Sequence, residues 1–321
     1  MSGQRLAVVM DPIESIKPHK DSTLAMLLEA QTRGWEIHYG RLQDIWLRDG
    51  EAFGRLTRLR VADDPAKWFD AGDVAVTALG DMDVILMRKD PPFDMEYVVA
   101  TYVLERAEGQ GALVVNRPQS LRDANEKAFL AWFPDCVPPT LISRSLEELR
   151  SFIAEQQQVV IKPLHLMGGR SVFVTDRDDG NQNVILETVA HEGARYVMAQ
   201  KYLPEIVSSG DKRIILVDGQ PIPVALVRIP QAGDHRGNMD VGARTEVRPL
   251  TDRDLWICDQ IGPVLRDKGL LFTGIDVIGD FMTEVNVTSA TGIRELERDG
   301  DVRITTQLFD AISSRLGSES R

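Results

Sequence analysis

The chain has only two cysteines, Cys136 and Cys258, in 321 residues. That number, in no metal-type spacing, argues against a disulfide framework and for a reducing cytoplasm, with each thiol simply buried. A basic excess is also missing. Lys and Arg number 37 against 49 Asp and Glu, a net charge of -12, which speaks against a general nucleic-acid or anionic-membrane surface and for solubility. No apolar run reaches the length of a membrane span, and the one in MSGQRLAVVMDP is too short for a signal peptide, so a cytosolic protein is expected. His19, His38, His165, His191 and His235 form no metal spacing, and no Ser-His-Asp or Cys-His grouping can be argued, so catalysis by a protein nucleophile is not indicated. No internal repeat or low-complexity tract occurs.

What is present is an ordinary globular composition, long enough for two or three packed units. Leu6 to Met10 is a short apolar run. Leu24, Leu27, Leu28 and Gln31 then fall at helical spacing, with Asp21 or Ser22 as cap and Gly34 as terminator. Trp35 to Tyr39, Val84 to Met87 and Ala112 to Val115 read as strands and Tyr97 to Ala107 as a helix, an alternation that predicts an open parallel α/β sheet over 1–122. From Thr140 the order becomes strand, helix 146–155, hairpin 159–175, helix 184–191 and strand 196–200, a compact α+β unit. KYLPEIVSSG could hinge it to a third unit: two strands about Asp218-Gly219, a polar loop, helix 253–268, a second hairpin and a final helix.

That second hairpin lies in GIDVIGDFMTEVNVTSATGIRE, whose polar residues interrupt a core-strand pattern. Glu284 and Asn286 are two apart and share a face. Asp276 depends on the turn at Gly279 and Asp280. A two-residue loop pairing 278 with 281 leaves it facing away, whereas a three-residue loop pairing 278 with 282 sets it opposite Glu284. Two carboxylates and an amide are hard oxygen ligands suited to Mg²⁺ that also leans on substrate phosphates. A solvated hairpin is the plainer alternative.

Lys162 ends an apolar strand just before a loop containing Gly168 and Gly169, where glycine amides can approach phosphate and the lysine adds a point charge. Most glycine pairs are merely turns. Lys127, in SLRDANEKAFLAWF, reads as an isolated lysine on an amphipathic helix, which ordinarily lies in water. Arg213 and Arg228, on neighbouring strands, could hold a carboxylate or a phosphoryl group, or could be sheet-surface arginines. IPQAGDHRGNMDVGARTE suits a flap over substrate or a mere connection. Asp11, Ser22 and Arg88 follow apolar strands, where open sheets bind ligands.

The blocks VVMDPI, KDSTLAMLLEAQTRGWE, DVILMRKDPPFD, NRPQSLRDANEKAF, IKPL, MGG, GDKRIILVDG, RIPQ and TEVNVTS occur in family order over nearly the whole chain. Together they strongly resemble bacterial glutathione synthetase. The resemblance implies an ATP-grasp fold: an N-terminal open-sheet domain (1–122), a small lid with its connecting helix (123–202) and a C-terminal domain (203–321). It also implies ligation of γ-glutamylcysteine to glycine with ATP through an acyl phosphate, dependent on Mg²⁺ with Mn²⁺ as a substitute, in a cytoplasmic homotetramer. On this reading Lys127, Lys162, Gly168 and Gly169 hold nucleotide phosphates, with Asp211 on the nucleotide side. Gln200, Tyr202 and Leu203 lie near adenine, and Arg213 steadies the phosphoryl group. Arg228, Arg88, Ser22 and Ser289 place the peptide substrate, and Asp276, Glu284 and Asn286 hold the metal.

The chain departs from the family at KPLHLMGG, where His165 and Leu166 replace Asp and Gly and Arg170 follows the glycine pair. A φ > 0 conformation at Leu166 would be costly. NVTSAT carries Ala290 for proline and Gly292 where cysteine is common, and Ala243, Thr245 and Val247 alter the flap. These changes keep two alternatives in view: a related carboxylate-amine ligase with another acyl donor or amine, and a nucleotide-binding protein without turnover.

Overall fold

The computed structural model describes residues 3–230 and 244–319. The first sheet contains β1 (Arg5–Val9), β2 (Glu36–Gly40), β3 (Ile45–Arg48), β4 (Glu51–Val61), β5 (Phe69–Ala78), β6 (Val84–Met87) and β7 (Leu113–Val115). Helices α1 (Ser22–Thr32), α2 (Met95–Glu108) and α3 (Pro118–Asp123) accompany it. From Leu6 onwards β1 is apolar because both faces are covered: Leu6 and Val8 enter one core, Ala7 and Val9 the other. Asp21 caps α1 by accepting from the Leu24 amide at 2.6 Å, and Gly34 follows with φ +76°.

Only part of this sheet is parallel. The order is β3-β4-β2-β1-β6-β7 with β5 on β4; β2, β1, β6 and β7 run parallel, while β3, β4 and β5 add antiparallel pairs. The strands over 45–78 carry no clear sequence pattern, for a physical reason. Most of β5 is exposed and lacks an apolar face, and the β4 alternation is broken by a register shift between Thr57 and Leu59.

The second sheet has order β10-β9-β11-β8, all antiparallel, from β8 (Thr140–Ser143), β9 (Gln158–Pro163), β10 (Phe173–Asp176) and β11 (Val197–Lys201). Helices α4 (Leu146–Gln156) and α5 (Gln182–Ala190) cover one face. Ile161, Val197 and Ala199 point into that small core, so Lys162 and Met198, one residue out of phase, face the other way.

The third sheet, among the described residues, has order β14-β13-β12-β15-β16: β12 (Asp211–Val217), β13 (Gln220–Ile229), β14 (Arg244–Pro249), β15 (Phe272–Ile278) and β16 (Phe281–Asn286). It is accompanied by α6 (Glu205–Ser209), α7 (Asp252–Asp267), α8 (Ile293–Asp299) and α9 (Ile304–Glu319). The expected hinge over 201–210 thus contains a short helix, and the flap over 231–243, with Ala243, lies outside the described residues. Thr245 and Val247 lie in β14.

Candidate active site

The first and third sheets meet where the parallel strands end. Asn116, just past β7, donates to the carbonyls of Phe272 and Val287 at 2.7 Å each and accepts from the Phe272 amide at 2.8 Å. Arg88, just past β6, donates to the Ala290 carbonyl at 2.8 Å and to Thr23 Oγ1 at 3.1 Å. Ser22 Oγ accepts from the amides of Gly292 and Ile293 at 3.1 and 3.2 Å. Ser289 Oγ donates to the Arg88 carbonyl at 3.3 Å. Ser22 and Arg88, expected to face a peptide substrate, are therefore buried and hold the 290–293 segment in place.

Lys127 overturns the sequence expectation. Helix α3 stops at Asp123, because the Asn125 side chain accepts from the amides of Lys127 and Ala128 at 3.2 and 2.9 Å and so opens a new turn. That turn buries Lys127 to 4% exposure. Its Nζ donates to Glu284 Oε1 at 2.8 Å and to the Leu166 carbonyl at 2.9 Å. Burial works against its charge, but the Glu284 carboxylate, with Glu126 and Asp276 nearby, outweighs this and raises the ammonium pKa.

Lys162 lies close by, donating to Gln200 Oε1 at 2.9 Å and to the Thr283 carbonyl at 3.4 Å. Burial pulls its pKa down against the opposing pull of Glu284. Gln200 in turn donates to Thr140 Oγ1 at 3.1 Å. The amides of Lys201 and Tyr202 are already spent on the carbonyls of Pro139 and Gln158, while Leu203 is buried. In the glycine loop, Gly168 and Gly169 both have φ +70°, but Leu166 is not among the positive-φ residues. The expected strain at Leu166 is absent, because the left-handed conformation falls on the glycines themselves.

On the third sheet Arg213, Asp276 and Glu284 form one row across β12, β15 and β16. Arg213 Nε and Nη2 donate to the two Asp276 oxygens at 2.6 and 3.2 Å, and Arg228 Nη2 lies 3.1 Å from Asp276 Oδ2 and also bonds Asp211. Burial disfavours the Asp276 charge, yet Arg213 and Arg228 together hold its carboxyl well below the usual range. Asp211 behaves oppositely. Burial pushes it up to about 6 despite Arg228, and its Oδ1 is buried without a hydrogen-bond partner. Asn286 donates its amide to the Gly274 carbonyl at 3.2 Å, which fixes the direction of its oxygen. Among the described residues no three His, Cys, Asp or Glu side chains are grouped to hold a metal ion.

Sequence reasoning missed Glu126 and Asn116. Both lie inside the block NRPQSLRDANEKAF, but nothing local says that their partners lie more than 150 positions away.

This arrangement of three sheets is the ATP-grasp fold, and solved structures share it. A D-cycloserine synthetase superposes with TM-score 0.71 at 16% identity, over 97% of this chain and 99% of that one. A D-alanyl-alanine synthetase A from Vibrio cholerae does so with TM-score 0.65 at 12% identity, over 99% of this chain and all (100%) of that one. Residues 4–122 match the prokaryotic glutathione synthetase N-terminal domain, and residues 126–301 match the prokaryotic glutathione synthetase ATP-grasp domain. Glutathione synthetase of Pseudomonas putida is 54% identical over 312 residues, covering 97% of this chain and 98% of its own. That of Coxiella burnetii is 53% identical over 311 residues, covering 97% of each. The chain belongs to the prokaryotic glutathione synthetase family, and its function is that of an ATP-dependent C-N ligase.

Proposed function

We propose that this enzyme joins γ-glutamylcysteine to glycine at the face shared by the second and third sheets. The cysteinyl carboxylate attacks the γ-phosphorus of ATP in line, the bond to the β,γ-bridging oxygen breaks, and ADP leaves an acyl phosphate. The free amine of glycine then attacks the acyl carbon; the amide forms as the nitrogen loses a proton, the C-O bond to phosphate breaks, and phosphate departs as the monohydrogen ion with that proton. The observation that carries this reading is the convergence of Lys127, Arg213 and Arg228 on Asp211, Asp276 and Glu284, with half-buried Lys162 reaching the same strand at the Thr283 carbonyl. Charge of both signs, held in place and largely buried, is what phosphoryl transfer between two anions requires.

Lys127, Lys162 and the amides of Gly168 and Gly169 hold the phosphates. Leu203 and its neighbours Gln200 and Tyr202 meet adenine, with Asp211 on the same side. Arg213 steadies the phosphoryl group, and Arg228 orients the peptide carboxylate beside a wall built by Arg88, Ser22 and Ser289. Glu284, Asn286 and Asp276 are the oxygen donors for Mg²⁺ or Mn²⁺. Their chemistry fits: all are hard ligands, and an incomplete protein shell suits a cation that takes the rest of its coordination from phosphates and water. When bound, the cation neutralises charge on the β- and γ-phosphates. Both Asp276 oxygens accept from arginines, so a cation held by Asp276 would share that carboxylate with Arg213 and Arg228.

The separation of the three sheets near 122 and 202 supports these unit boundaries, and the small core under α4 and α5 supports a lid that moves as one piece. A homotetramer is proposed from family membership, and a cytoplasmic site from the two free, buried cysteines. Light scattering of the purified protein checks the first.

The test is ADP release with ATP and Mg²⁺, comparing γ-glutamylcysteine plus glycine with each omitted, and product mass. Dependence on both substrates with a glutathione mass supports the reading. ADP release with a different acid or amine would assign the altered loop and flap to a changed substrate.

A further inference from the structure

Glu126 spends one carboxylate oxygen on three donors. Its Oε1 accepts from the Val287 amide at 2.8 Å, the Thr288 amide at 3.0 Å and the Thr288 hydroxyl at 2.9 Å. Its backbone carbonyl accepts from the Val285 amide at 2.9 Å. One residue therefore grips β16 and its continuation at two levels, with Asn286 between them and Glu284 just before. The next residue in sequence, Lys127, bonds the Glu284 carboxylate itself. A lysine for phosphate and two cation ligands are thus set in one rigid frame, of which Glu126 is the corner.

A buried carboxylate is a costly way to hold a strand end, since its desolvation must be offset by every bond it makes. Charge-assisted bonds are, however, short and directional. Among the described residues the hydrogen bonds of Glu126 go to Val285, Val287 and Thr288, and none goes to Glu284 or Asn286. The hydrogen-bonded route from Glu126 to these ligands runs through the strand, while its charge also acts directly on Glu284 and Lys127.

We propose that Glu126 is a positioning residue: it fixes the 285–288 backbone so that Glu284 and Asn286 meet the divalent cation in register with Lys127. This rests on the reading of Glu284 and Asn286 as cation ligands. The test uses the full chain with Glu126→Ala, Glu126→Asp and Glu126→Gln, and with Glu284→Gln as a reference. Binding of Mn²⁺ in the presence of ADP is measured by electron paramagnetic resonance, alongside kcat and the Mg²⁺ concentration for half-maximal activity.

Loss of an outer-shell partner is expected to weaken Mn²⁺ binding about tenfold or more in the Ala and Asp variants. The Gln variant keeps an acceptor oxygen facing the three donors and is expected to restore most of the affinity. Should Glu126→Ala not fold, Glu126→Asp carries the same expectation, because its carboxylate stops one methylene short. Wild-type Mn²⁺ affinity in folded Ala or Asp variants, with Glu284→Gln impaired, overturns the role of Glu126 alone. Unchanged affinity in Glu284→Gln overturns the ligand reading, and the proposal with it.

Discussion

Asp276 stands directly opposite Glu284 because Thr283 is an extra residue in β16. The turn at Gly279 and Asp280 has two residues and pairs Ile278 with Phe281 and Val277 with Met282, a register that would set Asp276 against Thr283. A β-bulge after Met282 moves the pairing on by one, to Glu284. The inserted Thr283 then turns its carbonyl to Lys162. The bulge thus aligns two carboxylates and reaches the lid lysine in one step.

Removing the Lys127 ammonium should uncouple that alignment from the glycine loop. Lys127→Met leaves Glu284 without its lysine and frees the Leu166 carbonyl. Steady-state kinetics should show kcat/KM for ATP falling by about a hundredfold or more. A Lys127→Met enzyme within tenfold of wild type would remove Lys127 from phosphate binding.

Gly274→Ala should disturb Arg213 specifically. A Cβ there would lie 2.8 Å from Arg213 Cδ and 3.3 Å from its Nε, so the guanidinium cannot keep its grip on Asp276. Overpacking of this kind costs about 1–3 kcal/mol, measurable by urea unfolding, and kcat should drop more than stability alone explains.

In the loop proposed to hold phosphate, glycine matters at 168 and not at 166. Gly168→Ala places a side chain at φ +70°, at a cost of about 1–2 kcal/mol, and should raise KM for ATP. Leu166→Gly relieves no left-handed strain and should not improve it. A gain in ATP affinity from Leu166→Gly would contradict this.

Asn116→Ala removes three bonds that tie β7 to β15 and to Val287. With buried partners left unsatisfied, the loss should be about 2–4 kcal/mol. Calorimetry would show it as a lowered Tm, and an unchanged Tm would mean that water replaces the side chain.

Alkaline stability should depend on Cys258. Burial pushes its thiol up to about 12 from the ordinary 9.0, with Asp254 and Asp259 adding to the effect. The folded chain keeps the proton that the unfolded chain loses, so this stabilisation is complete below about pH 9 and is lost as pH rises towards 12. Cys258→Ala should flatten the fall in stability between pH 9 and 11. Native protein should also react slowly with a disulfide reagent, since the thiolate is scarce.

Local periodicity carried much of this protein. The apolar run of β1, the capped helix α1, the strand that delivers Lys162 to the face opposite Ile161, and the shared face of Glu284 and Asn286 are set by neighbours in the chain. Backbone geometry alone turns their spacing into a direction. The family blocks, read together, carried the fold and the reaction. The partner of Lys127, the bulge that brings Asp276 into line, the burial of Ser22 and Arg88, and the grip of Glu126 on Val287 were decided only by the tertiary structure. Each joins residues far apart in the chain, such as Ser22 with Gly292 or Arg88 with Ala290. A polar side chain reads the same from sequence whether it meets water or a buried partner; only packing removes the water and makes the partner obligatory.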